Sequence, residues 1–207
     1  MPEFTGRQLP TRRDEYAEVT RLAVIDAARE LFGRNGHANT KVDEIARKAR
    51  VSPSTVYAKC GGKQGLLESL MDIWTTGTRI QQIIESCRGA RTGRDMLSVL
   101  AEGYVTIYNE SGDIIRIVTQ AAASTAAAEA CLHTANTRHC DALAEIVAGI
   151  RTTGELARDL SDEEVVKAIY YHFRYEQLAL TIEEFGWTEA RSRDTIRRWV
   201  EMAIFKE

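Results

Sequence analysis

Beyond Pro53 the chain contains no proline, so nothing from residue 54 to residue 207 forbids long uninterrupted helices. The apolar residues recur at helical spacing along most of that length, and no stretch alternates with the period of a strand. Leu22, Ile25, Ala28, Leu31 and Phe32 share a face from Tyr16 until Asn35-Gly36, a helix-terminating pair. Thr40, with Asp43 three residues on, predicts the cap of a short helix ending near Ala49. Ser52 as cap and Pro53 in the first helical position predict the next one, which ends at Cys60-Gly61-Gly62. A longer helix is predicted from Lys63 through Leu66, Leu67, Leu70, Ile73 and Trp74 towards Ile84.

Further on, Leu97, Leu100, Ala101, Tyr104 and Tyr108 form one stripe, and Asn109-Glu110-Ser111-Gly112 reads as a turn. Residues 113–120 and 122–150 read as a short and a long helix, and Thr152 to Leu160 as a loop. Ser161 with Glu164 makes a capping box for a helix running through Val165, Ile169, Phe173, Leu178 and Ile182. Gly186-Trp187-Thr188 breaks it before a last helix with Ile196, Trp199, Val200, Ala203 and Ile204. The expected fold is all-α with about nine helices. Residues 1–15 are expected to form a flexible basic arm, and the helices to divide into one domain over 16–65 and another over 66–207.

The net charge of −3 argues against a polyanion partner for the whole chain, but the charges are unevenly spread. Residues 1–67 hold 12 Lys/Arg against 8 Asp/Glu, whereas residues 68–207 hold 15 against 22. A basic first third therefore points to nucleic acid for that part only. The stretch from Ala121 to Leu132 is too short and too interrupted to span a membrane, and the first residues lack the apolar core of a secretory signal. A cytoplasmic protein with no membrane partner is expected, its four cysteines being free thiols.

The stretch from Val42 to Gly61 carries the most chemistry. A helix-turn-helix needs a small residue where its two helices cross, and Ala46 supplies it. It needs an apolar plug in the turn, which Val51 provides, and a branched anchor on the second helix, which is Val56. The rest of that second helix offers Ser54, Thr55, Tyr57, Ala58 and Lys59. One anchor and an otherwise small, polar, phenolic face suit a major groove better than a core.

These residues resemble the N-terminal signature of the TetR family from Ala27 to Leu67. The matching positions are Ala28, Leu31-Phe32, Gly36, Thr40, Val42, Ile45-Ala46, Ala49, Val51-Ser52, Thr55-Val56-Tyr57, Lys63 and Leu66-Leu67. The resemblance implies a DNA-binding transcriptional regulator: a repressor released from a palindromic operator by a small-molecule effector, with no cofactor and no enzymatic activity. It implies that Thr40 caps its helix against a phosphate with Lys41 beside it. Ser52, Ser54, Thr55, Tyr57 and Lys59 would face double-stranded DNA. Lys63 would hold a phosphate at a helix start, and Arg12 and Arg13 would reach a neighbouring groove or backbone. Three departures stand out, one being the Gly61-Gly62 pair, which loosens the junction with the following helix. Arg50 occupies a turn position where the family usually has Gly, costing roughly 1 kcal/mol if that residue is left-handed. Cys60 stands where an aromatic is usual.

Outside this motif the signals are weaker. Tyr171, Arg174 and Gln177, with Tyr104 and Tyr108 facing them, are candidates for a ligand-pocket wall, although a packed helix with a snorkelling Arg has the same composition. Leu178, Ile182, Phe185, Trp199 and Ala203 provide more apolar surface than one helix pair hides, which offers an interface. The family resemblance implies that 66–207 is a ligand-binding and dimerisation domain, and that its last two helices pair with their symmetry mates in a homodimer. Cys131, His133, His139 and Cys140 do not converge on one helix face, so no metal site is expected. His172 reads as a core or pocket histidine rather than a catalytic base. Two rival classes remain: a small-molecule-binding helical protein without DNA binding, and an all-helical enzyme. The second requires a convergent set of titratable residues that no spacing here supplies.

Overall fold

The computed structural model describes residues 11–206. Among them the chain forms ten α-helices and one π-helical stretch, with a lone antiparallel bridge between Leu156 and Phe205. They divide into two compact units, one ending at Leu70 and the other beginning at Met71.

The first unit contains α1 (Arg12–Asn35), α2 (Val42–Lys48), α3 (Pro53–Cys60) and the start of α4 (Gly62–Thr76). α1 begins earlier than the apolar period predicts because Thr11 caps it. The Thr11 hydroxyl accepts the Asp14 N–H at 3.3 Å, and the Asp14 carboxylate accepts the Thr11 N–H at 3.0 Å. Arg12 and Arg13 therefore sit in the first turn of a helix, not in a free arm. The buried face of α1 is Val24, Ile25, Ala27, Ala28 and Phe32, whereas Leu22 is exposed. With Ile45, Ala46, Val56, Leu66, Leu67 and Leu70 these residues make the core of the unit. Each large apolar side chain so buried contributes about 1.5–3 kcal/mol.

The cap of α2 lies one residue later than predicted. Thr40 is 1% exposed, and its hydroxyl donates to the Gly36 carbonyl at 2.9 Å and faces the Leu31 carbonyl at 3.3 Å. Engaged with the end of α1, it is not free to cap. Lys41 takes the N-cap position, where the Glu44 carboxylate accepts its N–H at 2.9 Å. α3 forms as expected: Ser52 accepts the Thr55 N–H at 3.2 Å, Pro53 opens the helix, and Gly61 closes it at φ 68°.

The second unit holds the end of α4, then α5 (Thr78–Arg88), α6 (Gly93–Ala122), α7 (Ala126–Thr152), α8 (Asp162–His172), α9 (Tyr175–Ala179), the π-helical stretch Leu180–Glu184 and α10 (Glu189–Ile204). The long helix predicted from Lys63 to Ile84 is broken at Gly77, which is extended at ψ 159°. The turn predicted at Asn109-Glu110-Ser111-Gly112 does not exist, and α6 runs straight through it. Gly112 serves close packing instead: a Cβ there would meet the Tyr175 ring at 2.9 Å. The Ser161–Glu164 capping box forms, with the Ser161 N–H given to Glu164 at 2.8 Å. The helix it starts stops at His172 rather than running to Ile182, because Arg174 is extended at ψ 152° and α9 starts afresh.

Leu97, Ala101, Leu143, Val147, Ile150, Val165, Ile169, Phe173, Ile196, Val200 and Ile204 form the core of this unit. Leu178 belongs to that core at 1% exposure, which removes it from the expected dimer surface. The loop after α7 is tied down by the chain end. Ala157 N–H bonds Ile204 O at 2.9 Å, Lys206 N–H bonds Glu155 O at 3.0 Å, and the Arg94 guanidinium lies 4.8 Å from the Phe205 ring centroid.

Candidate nucleic-acid interface and ligand cavity

The turn between α2 and α3 is held by its backbone. Ala49 N–H bonds Ile45 O at 2.9 Å, Arg50 N–H bonds Arg47 O at 3.2 Å, and Val51 N–H bonds Ala46 O at 2.9 Å. Arg50 adopts φ 57°, the one positive φ outside glycine among the described residues. The left-handed conformation that a glycine would take freely is thus imposed on an arginine, at a cost of roughly 1 kcal/mol. Ile45, Ala46 and Val56 are almost completely buried at the crossing of the two helices.

The outer face of α3 is hydrophilic apart from the ring of Tyr57. Ser54, Tyr57, Ala58 and Lys59 are exposed, and Thr55 is half-buried. The Ser52 hydroxyl lies 2.7 Å from that of Ser54 and 2.8 Å from that of Thr55, so the three hydroxyls form one chain at the start of the helix. Tyr57 is 60% exposed, and its ring lies over Gly62, where a Cβ would come within 2.8 Å of it.

Lys63 opens α4 and donates to the Ala38 carbonyl at 3.2 Å, and desolvation pushes its amine below the usual lysine range. Lys41, Arg12 and Arg13 are exposed. Thr40 differs from its expected role: its side chain turns inward to protein carbonyls, so the hydroxyl does not present itself to a phosphate. Two residues escaped the sequence reading. Gly65 passes so close to the end of α3 that a Cβ would lie 1.9 Å from the Cys60 carbonyl oxygen. His37 packs edge-on against Phe32 at 5.0 Å, with both ring nitrogens buried and unpaired. Desolvation and the Lys63 charge hold it below its ordinary pKa.

The second unit contains a partly open cavity of about 70 Å³. Tyr104, Tyr108 and Arg174 line it, as the sequence led us to expect, but Tyr171 and Gln177 do not. Tyr171 is 64% exposed, because the end of α8 turns it outward against His172. Gln177 is half-buried behind the wall, its Oε1 without a hydrogen-bond partner. The wall also takes Trp74 from α4, His139 from α7, and Tyr170, Phe173 and Tyr175 from around the α8–α9 break.

Its rings are ordered. Tyr104 and Phe173 stack at 4.8 Å and 3°, Tyr108 and Tyr175 at 5.4 Å and 24°. The Tyr104 hydroxyl lies 2.5 Å from His139 Nε2, and burial holds the imidazole at a pKa of about 4. Tyr108 donates to Glu183 at 2.7 Å. Burial raises both phenols above the ordinary tyrosine value. Asn136 and His139 lie three apart on α7, a spacing that shares a helix face. No sequence signal said which partner that face meets.

Of the residues expected at a dimer surface, Phe185, Trp199 and Ala203 are exposed, and Ile182 packs half-buried against the core. Met202, at 70% exposure, and Leu180, at 38%, join the exposed apolar set. Among the described residues no three of His, Cys, Asp or Glu gather as metal ligands, and no helix is long and apolar enough to cross a membrane.

A helix-turn-helix unit is thus followed by a helical unit with its own aromatic cavity. Residues 24–70 match the model of the tetR family of bacterial regulatory proteins. Over 111 residues the chain is 30% identical to the HTH-type transcriptional repressor Rv3405c of Mycobacterium tuberculosis, covering 50% of this chain and 56% of that relative. It thus spans little more than half the relative's length. FadR of Bacillus subtilis in complex with stearoyl-CoA shares the fold at a TM-score of 0.74 and 17% identity, over 86% of this chain and 96% of that one. So does the SmeT–triclosan complex, at a TM-score of 0.76 and 16% identity over 91% and 93%. SmeT is the repressor of a Stenotrophomonas maltophilia multidrug efflux pump. The likeness to the tetR family thus rests on residues 24–70, and the likeness to the solved structures is one of fold.

Proposed function

We propose that this chain is a cytoplasmic transcriptional repressor rather than an enzyme. It binds a palindromic operator as a homodimer through α3 and is released by a small molecule in the cavity of the second unit. The observation that carries the reading is α3 itself. Only Val56 and Cys60 of its residues are buried, and its outer face carries Ser54, Tyr57 and Lys59. In this reading Ser54, Thr55 and Tyr57 contact the major groove. Lys41, Lys59 and Lys63, with Arg12 and Arg13 from the first turn of α1, contact phosphates. Ser52 acts mainly by holding Thr55, and Thr40 acts by fixing the end of α1 to the start of α2.

The similarity to a named repressor supports the reading, as does the fold shared with proteins solved with stearoyl-CoA and triclosan. α4 supplies the route between ligand and DNA. It starts at the Gly62-Lys63 junction, and its last turns put Trp74 and Thr75 into the cavity wall. A ligand that favours one setting of α4 shifts the balance between DNA-competent and incompetent states by its difference in affinity for the two.

A mobility shift with DNA from upstream of the chain's own gene tests this. Affinity is expected to fall steeply with salt. Tyr57→Ala and Lys63→Ala should each weaken binding about tenfold or more, and Lys63→Ala should also lower the salt slope by about one. No shift, or variants that bind as the unaltered chain does, would leave the alternative of a small-molecule-binding helical protein without DNA binding.

A further inference from the structure

The charges around the cavity cancel locally. Arg174 is paired with Glu176 at 3.0 and 3.1 Å, and its guanidinium lies 5.3 Å from the Tyr170 ring centroid. Arg138 is paired with Asp72 at 2.7 Å and also donates to Thr75 at 3.0 Å. Both arginines in the wall therefore already hold a carboxylate. An anionic ligand would have to displace one of those partners, against the desolvation cost of taking its own charge out of water. His139 adds no positive charge at neutral pH, because burial and the Arg174 charge keep it unprotonated.

What remains is flat aromatic surface with a neutral polar handle. Tyr104, Tyr108, Tyr170, Phe173, Tyr175 and Trp74 border the space, and such rings favour offset or edge-on contact with another ring. The Tyr104–His139 hydrogen bond is the polar element common to α6 and α7. In either tautomer of the imidazole, one donor and one acceptor of the pair remain for a third group. Asn136, one turn earlier on α7, adds a neutral amide.

We propose that the cavity takes an uncharged, flat aromatic molecule bearing a hydroxyl group, its rings among the aromatic side chains and its hydroxyl on the Tyr104–His139 pair. This assignment rests on the sensing role proposed above and gives it a ligand class. Calorimetric titration of the full chain with 2-naphthol, naphthalene and 2-naphthoate at pH 7 tests it. The naphthol is expected to bind at least about tenfold more tightly than either of the others. Tyr104→Phe, which keeps the ring stack with Phe173, should bring naphthol down to the naphthalene level and leave naphthalene itself within about twofold.

The ranking on the unaltered chain needs no variant, so a poorly folding Tyr104→Phe does not shield the assignment. It is overturned if naphthoate matches or exceeds naphthol, if naphthol and naphthalene bind alike, or if none binds. The same ligands added to the DNA complex separate the two readings. Naphthol that binds but leaves the complex intact keeps the ligand class and removes the sensing role. Naphthoate that binds best and releases the DNA does the reverse.

Discussion

His139 shows how one residue can be misplaced by sequence and become informative once its neighbours are known. Beside Cys131, His133 and Cys140 it drew attention only as a metal candidate, and nothing local distinguished it from a solvated helix face. In the folded chain it faces the Tyr104 hydroxyl at 2.5 Å, the Tyr170 ring at 5.0 Å and the Arg174 guanidinium. Its pKa of about 4 lies below the ordinary 6.5. As pH falls, the unfolded chain therefore takes up the proton first. The stabilisation is whole above about pH 6.5 and is lost towards pH 4. At roughly 1.4 kcal/mol per pKa unit, about 2 kcal/mol should disappear between pH 7.5 and pH 5. Urea titrations at the two pH values should show this loss, and His139→Gln should lack it. Equal losses in both proteins would mean that the imidazole is not the group responsible.

Among the elements, the junction of α3 and α4 has the least room for change. The chain leaves α3 through Gly61 and Gly62, both at positive φ, and returns past Gly65 against the Cys60 carbonyl. Because the atom in the way is backbone, no rotamer change relieves the 1.9 Å approach. Gly65→Ala should cost about 3 kcal/mol or more and abolish DNA binding. Gly89→Ala, where the nearest atom is 3.5 Å away and φ is −77°, should be close to neutral. Thermal melts of the two variants make the comparison. The elements that were legible in the sequence are those whose signals are local: Ser52-Pro53, the Ser161–Glu164 box, and the break at Gly186. Several of those misread depend on partners outside the element itself. Thr40 is drawn to the end of α1, Gly112 is small to admit Tyr175, and the helix starting at Ser161 breaks where Phe173 stacks on Tyr104. The same division holds for the site. The α3 face was legible because one short helix makes it, whereas the cavity draws on α4, α6, α7 and the α8–α9 break.

At the scale of the whole molecule, the acidic balance of residues 68–207 would confine the proposed affinity for a polyanion to the first third. Two reading heads are needed for a palindrome, so the proposed DNA binding stands or falls with association. Trp199, Met202 and Ala203 on α10, with Phe185, are exposed apolar positions whose replacement leaves the core intact. Trp199→Glu should give a folded monomer by sedimentation, with unchanged circular dichroism and with operator affinity lost. A dimer that persists would place the interface elsewhere.

Between the cavity wall and Phe185 lies the π-helical stretch, where the Phe185 N–H reaches back five residues to Leu180 O at 3.0 Å. Such a stretch carries one residue more than an α-helix would use over the same rise. Deleting that residue would leave Phe173 to Leu178 in place and swing the following side chains by about 100°. A lineage that gains or loses a single codon here can therefore turn Phe185 in a new direction while keeping the cavity wall up to Leu178 as it is.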